Sequence, residues 1–457
     1  MLPRTHLGLA ATASVMTLLV LPAGGPGLGP PAAQTLDERG AVTREVLPNG
    51  LTVLLDPEPE REVVAVQVWY QVGYADDSAP GDAHLIEHLM FEGTAAVPDF
   101  GAAMRGLGAR TRSATGPETT RFESEVPRAG LDSVLAIEAD RMSGLKIDHG
   151  AVARAEAEIT AEESAQGGRP PQSLGDFAER VRPLVFADHP FGHPFGLVSG
   201  SVTPERCRAF YERFYAPERA LLVVSGGFEP DRVRRAIRAR FGPLSQAGLP
   251  PRTRSPRPTL AGHATTLPAP GAQHVVLAYL MPEPASPLFA AAPLVPAFLN
   301  VEGVTLIEQI CAQAGAPARF LGATLDRETG LLCAVARPQG EAAPVADALG
   351  SALPLLIETL DAQTFAAVRD RWRLAAAKGA GSLSARATAR AEAEIARGTD
   401  ENAGQVKSLS EWTERDLAAF APELQRERCL IVMIGRGSTP PGNPESHPKA
   451  GPPAEDP

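Results

Sequence analysis

Glu218–Val224 reads ERALLVV, and 209 residues later Glu427–Met433 reads ERCLIVM. Each is a charged pair followed by five apolar residues, the composition of a buried strand. A second stretch repeats at the same offset: VVAVQVWY ends at Tyr70 and QHVVLAY ends at Tyr279. The pair Ala209-Phe210 recurs as Ala419-Phe420, one residue out of register. One such match could be chance. Three at nearly one offset, close to half of the 457 residues, indicate a duplicated domain and not an array of short repeats.

Working outward, Gly242–Pro258 (GPLSQAGLPPRTRSPRP) has the composition of a linker. It separates a first copy over residues 40–241 from a second over 259–437, and a Pro-rich tail over 438–457 is expected to be disordered. Within the first copy, Thr43–Asp56 and Val63–Val72 read as two strands joined through Pro57–Arg61. The region His84–Phe91 reads as helix. So does Leu131–Arg141, where Leu131, Val134, Leu135 and Glu138 have helical spacing, and so does the Ala- and Glu-rich Val152–Gln166. Thr203 caps a further helix to Phe214 with Pro204 in its first turn, and Leu221–Ser225 reads as a buried strand. Strands and helices mix without regular alternation. That predicts an α+β fold of two homologous domains, each a mainly antiparallel sheet packed with helices.

A net charge of −11 argues against a nucleic-acid or anionic-membrane partner, which would need a basic surface. At the N-terminus, Arg4 and His6 precede the apolar run Leu7–Leu21 and the small residues Ala32 and Ala33, so residues 1–33 read as a secretory signal peptide. The expected location is the periplasm or another exported compartment, with no membrane span once the signal is removed. Cys207, Cys311, Cys333 and Cys429 form no close pair of the kind used for zinc, and buried free thiols are expected.

The chemistry lies in His84-Leu85-Ile86-Glu87-His88. Residues i and i+4 sit one turn apart on one helix face, so both imidazoles can reach a single metal ion. Glu87 then lies beside the metal, where its carboxylate can act as the base toward an activated water. This is the inverted form of H-E-x-x-H. Imidazole and carboxylate are ordinary zinc ligands, and a catalytic zinc keeps three of them plus an open position. A third ligand must therefore come from elsewhere.

HLIEHLMFEGTAAVP resembles the signature of the pitrilysin-type inverzincin peptidases, which include the mitochondrial processing peptidase subunits. ADRM (Ala139–Met142), HPFGHPFG (His189–Gly196) and FYERFYAPERALLVVSG (Phe210–Gly226) fit the same pattern, and the resemblance spans roughly residues 43–435. It implies two domains enclosing a peptide-binding chamber, and zinc-dependent cleavage of peptides or partly unfolded proteins. It also implies a third ligand from a glutamate seven positions after another glutamate. Glu156 and Glu163 have that spacing within RAEAEITAEES. Glu163 is thus the implied ligand and Glu156 the residue orienting a ligand, with Glu162 and Glu158 as competitors. The second copy has Pro293, Leu294, Val295, Pro296 and Ala297 where the motif would fall, and so has no ligand there.

Two departures from the family pattern matter. Arg112, Ser113, Ala114 and Thr115 stand where the family carries an Asn-Ala pair on the strand that docks substrate. Backbone pairing to an extended peptide tolerates most side chains, so these four are the candidate substrate-binding residues. The family's Arg and Tyr in the second domain are also missing, since none of Tyr70, Tyr74, Tyr211, Tyr215 and Tyr279 lies in Ile307–Phe320. Losing one oxyanion donor typically costs about 10²–10³ in rate. The expectation is a zinc endopeptidase completed by a homologous partner subunit that carries the Arg/Tyr pair, or one in which Arg319 or Arg327 substitutes. The alternative is a non-catalytic scaffold subunit of a peptidase-like complex.

Overall fold

The computed structural model describes residues 42–166, 170–193, 202–249, 255–283, 286, 288–379, 382–398 and 411–435. The stretch read as a signal peptide (1–33), the 438–457 tail and residues 250–254 of the expected linker lie outside them.

Two sheets carry the fold. The first contains β1 (Thr43–Val46), β2 (Thr52–Pro57), β3 (Val63–Tyr70), β4 (Arg110–Thr115), β5 (Thr120–Pro127) and β6 (Ala220–Gly226), in the order β1-β2-β6-β3-β5-β4. The second contains β7 (Ala264–Leu267), β8 (His274–Leu280), β9 (Ala318–Asp326), β10 (Leu331–Pro338) and β11 (Cys429–Ile434), in the order β7-β11-β8-β10-β9. Without β1, the two orders are the same. In each sheet one pair is parallel (β2 with β6, β7 with β11) and the other pairs are antiparallel. The register repeats as well: Tyr70 faces Ala220, and Tyr279 faces Cys429, both 209 residues on.

The stretch Thr43–Asp56, read as one strand, is instead a hairpin. Leu47-Pro48-Asn49-Gly50-Leu51 turns the chain, with Gly50 at φ +86° and the Asn49 amide donating to the Phe241 and Leu244 carbonyls. An Asn-Gly turn favours this left-handed backbone, which most residues resist.

The first half supplies helices α1 (Asp82–Leu89), α2 (Phe100–Gly106), α3 (Leu131–Arg141), α4 (His149–Gln166), α5 (Leu174–Val185), α6 (Pro204–Phe214) and α7 (Pro230–Phe241). The second supplies α8 (Leu294–Phe298), α9 (Val304–Gln313), α10 (Ala342–Glu358), α11 (Ala362–Gly379), α12 (Leu383–Gly398) and α13 (Glu414–Ala418). Thr203 caps α6 as its sequence indicates, accepting from the Arg206 amide.

Strand β3 shows why the central strands read as nearly continuous apolar runs. Val64, Val66, Val68 and Tyr70 pack inward with Leu85, Ile86 and Leu89 of α1. Ala65 and Trp69 point to the opposite face, which Leu383, Ala387 and Ala391 of α12 cover. A strand buried on both faces has no reason to alternate. The exception, Gln67, is satisfied by the Ser384 carbonyl at 3.0 Å and Thr388 Oγ1 at 3.1 Å. The exchange is reciprocal: α5 of the first half lays Phe177, Ala178, Val181 and Val185 over Val276, Ala278, Cys333 and Val432 of the second sheet. Salt bridges fasten α12, with Arg386 paired to Asp56 at 2.6 Å and Arg44 to Glu394 at 2.7 Å.

The four cysteines are buried and free. The helical run Phe289–Gln313 is long and apolar enough to cross a membrane, yet Leu294, Val295, Phe298, Leu299, Ile307 and Cys311 are core residues of the second domain.

Candidate metal centre

Helix α1 is short and almost wholly buried, so its start must be fixed by specific bonds. Gly81 takes φ +91°, and the Asp77 carboxylate accepts from the Gly81 and Ala83 amides, both at 2.8 Å. Burial, offset in part by those bonds, pushes the Asp77 carboxyl up to about 7. Asp82 accepts from Ser78 and Ala79 and pairs with Arg206 of α6 at 2.6 Å, tying the helix to its neighbour.

One turn on, His84 and His88 bring their Nε2 atoms within 3.2 Å. From α4, Glu162 Oε2 lies 3.6 Å from the first and 3.7 Å from the second. Zinc bonds of about 2.0–2.2 Å in tetrahedral directions place donors about 3.3–3.6 Å apart. Three atoms at 3.2, 3.6 and 3.7 Å therefore fit one zinc ion. Among the described residues this is the cluster of donors that could hold a metal. Burial, then the neighbouring His88 and against Glu162, holds the His84 imidazole down at about 4, in the neutral form that binds metal.

On α4 the structure places two of the four candidate glutamates near the imidazoles. Glu162, not Glu163, stands against the imidazoles. Glu158, not Glu156, lies against one of them, its Oε2 3.0 Å from His88 Nδ1. The spacing of seven selects a helix face only coarsely, since Glu158 and Glu162 are also one turn apart and look toward α1 together. Glu163 keeps one carboxylate oxygen buried without a hydrogen-bond partner, and burial raises its pKa. Glu156 is half-buried, and its backbone carbonyl accepts from Thr160. The matched i, i+4 pairs, two histidines and two glutamates, were the signal available in the sequence.

Glu87 is buried beside the cluster, and its Oε2 accepts a hydrogen bond from Thr115 Oγ1. Thr115 ends β4, the terminal strand of the first sheet, so Arg112, Ser113, Ala114 and Thr115 do lie along a sheet edge. In the second domain the motif's counterpart is α8, where Leu294, Val295 and Pro296 are packed into the core. Arg327 is paired with Glu392 at 2.6 Å, while Arg319 is exposed on β9.

The Insulinase (Peptidase family M16) domain profile matches residues 52–177, and the Peptidase M16 inactive domain profile matches residues 201–370. The chain belongs to the M16 peptidase family, and its metal cofactor is zinc. The second profile begins in the last part of the metal-bearing domain and runs on into the half without a metal motif. An uncharacterized zinc protease of Mycobacterium leprae is 30% identical over 212 residues, covering 44% of this chain and 46% of that protein. The chain thus spans about half the length of this curated relative. Among solved structures, a protease from Helicobacter pylori superposes with TM-score 0.72 at 19% identity, covering 86% of this chain and 99% of that one. The first half of the periplasmic protease PqqL from Escherichia coli gives 0.63 at 18%, covering 89% and 93%. These M16 likenesses share the fold of two homologous domains.

Proposed function

We propose that this M16 peptidase is a zinc endopeptidase cleaving peptides or partly unfolded proteins, with Glu87 as its general base. The observation carrying this reading is the meeting of three zinc-compatible donors with a buried carboxylate that already accepts a hydrogen bond. His84, His88 and a carboxylate of the Glu162–Glu163 pair would hold the metal. The 3.6 and 3.7 Å distances from Glu162 Oε2 to the two imidazole nitrogens support Glu162, and the motif spacing supports Glu163. When bound, zinc supplies Lewis acidity, polarising a carbonyl and lowering the pKa of a water toward about 7. Glu87 does the proton work. Its carboxylate, held at Oε2 by Thr115, takes a proton from the attacking water and returns it to the leaving amine. Strand β4 would dock the substrate backbone as an added strand.

Residues 40–241 form the metal-bearing domain in this reading and 259–437 its homologue. The missing Arg/Tyr pair supports completion by a homologous partner subunit, and the same absence is what favours the scaffold alternative. Export to the periplasm rests on the N-terminal apolar run and on the likeness to a periplasmic protease. The deciding experiment is Glu87→Gln, which keeps the shape and cannot act as the base. Zinc should remain bound while turnover falls by about 10² or more. Full activity in this variant would remove Glu87 from the mechanism.

A further inference from the structure

The tip of the hairpin joining β4 and β5 is gripped from both domains. On one side its own domain holds it: the Tyr74 amide donates to the Gly116 carbonyl at 3.1 Å and the Ala75 amide to that of Pro117 at 3.0 Å. On the other side stands Glu328, from the turn between β9 and β10 of the second domain. Its carboxyl accepts from the Glu118 amide at 2.7 Å and contacts Thr119 Oγ1 in a second hydrogen bond. The approach is close enough that a Cβ added at Gly116 would meet Glu328 Oε2 at 2.9 Å. Glu328 is itself braced, since Asp326 accepts from the Glu328 amide at 3.0 Å and from Thr329 Oγ1 at 2.6 Å. Thr115, whose hydroxyl holds Glu87, immediately precedes this gripped turn.

We propose that Glu328 is a positioning residue for the peptidase reaction: from the second domain it fixes the hairpin tip and thereby keeps Thr115 against the base Glu87. This rests on the assignment of Glu87 made above. The half that carries no metal motif then contributes to catalysis through geometry. Displacement of a catalytic group by about 1 Å can cost on the order of 10² in rate, so a loosened tip is enough to matter. Burial, with Asp326 adding to it, pushes the Glu328 carboxyl up to about 8, so near neutrality it is largely protonated and glutamine is its close mimic. In Glu328→Gln the new side-chain carbonyl would accept from the Glu118 amide, and the new NH₂ would donate to Thr119.

The test is a set of variants in the full chain, with the partner subunit present if activity requires one. Each is scored for zinc content, kcat and KM on an unfolded peptide. Glu328→Ala should retain zinc and lose about 10-fold or more in kcat, whereas Glu328→Gln should stay within about 3-fold of the parent, a loss smaller than one deleted hydrogen bond produces. Thr115→Val should lose kcat too. In the double variant Glu328→Ala/Thr115→Val the loss should be no greater than the larger single loss, because both changes break one chain of contacts. Should Glu328→Ala fail to fold, Thr119→Val replaces it in the same cycle. Additive losses, a Glu328→Ala enzyme with parental kcat, or a Glu328→Gln enzyme as impaired as Glu328→Ala would each overturn the proposal. Activity in Glu87→Gln would instead overturn the reading beneath it, so the two failures are separable.

Discussion

Arg386→Ala tests whether the reciprocal helices bind the two domains into one cooperative unit. Arg386 reaches from α12 to Asp56 on β2 with two bonds, at 2.6 and 2.9 Å, and to Glu58 at 2.5 Å. Asp56 is 1% exposed, so the loss of its partner strands a buried charge, which generally costs about 3–5 kcal/mol. Two features reduce that here. The Arg386 side chain is itself one-fifth exposed, and Arg390 Nε lies 3.6 Å from Asp56 and can take over part of the pairing. A destabilisation of about 2 kcal/mol follows. With unfolding entropy of about 2 cal/mol/K per residue, a chain of this size should lose about 2–3 °C in Tm. Neutralising the stranded charge in Arg386→Ala/Asp56→Asn should recover about half of the loss. Scanning calorimetry is the assay. The parent should give one main transition, and the variant one displaced transition. Two separated transitions of which only one moves, or a shift below about 0.5 °C, would refute the reasoning.

His88→Ala should abolish stoichiometric zinc by elemental analysis. Of Glu162→Gln and Glu163→Gln, the former should lose metal more severely, and the reverse order would return the third ligand to Glu163. The isolated chain should turn over unfolded peptides far below an ordinary rate of about 1 s⁻¹ and regain activity with a homologue carrying the Arg/Tyr pair; full turnover alone would exclude an obligate heterodimer. Because Asp77 titrates near 7 in the fold, well above its ordinary range, its proton is bound more tightly folded than unfolded. The stability it contributes is full below the ordinary carboxylate range and is lost as pH rises through about 7. Denaturant titrations of Asp77→Asn across that window should show a flatter pH dependence than the parent.

The duplication was legible because a strand buried on both faces leaves a strong apolar signature, and both copies of it survive. HLIEH was legible because its chemistry needs one spacing on one helix face. The hairpin at Asn49-Gly50 was a local signal overridden by the apolar residues around it. The choice among Glu156, Glu158, Glu162 and Glu163 was not legible, since the rotation of α4 against α1 is set by the packing of Ala151, Val152, Ala155 and Ile159, not by the glutamates. Nor could the partner of α12 be read. Leu383, Ala387 and Ala391 announce an apolar stripe, but no stripe names the sheet it covers.

The exchange of α5 and α12 also bears on the order in which the chain can mature. When synthesis has reached residue 241, every strand of the first sheet exists, but the cover for one of its faces does not. Leu54, Ala65, Trp69, Leu221 and Val223 then form an apolar strip with nothing to bury it until Leu383–Gly398 has been made. For some 140 further residues the nascent first half carries an uncompensated solvation cost and a surface that invites aggregation. A chain truncated before Leu383 would retain His84, Glu87, His88 and the α4 glutamates but would leave that strip uncovered, so the last quarter of the sequence supplies part of the scaffold on which the motif in the first quarter is presented.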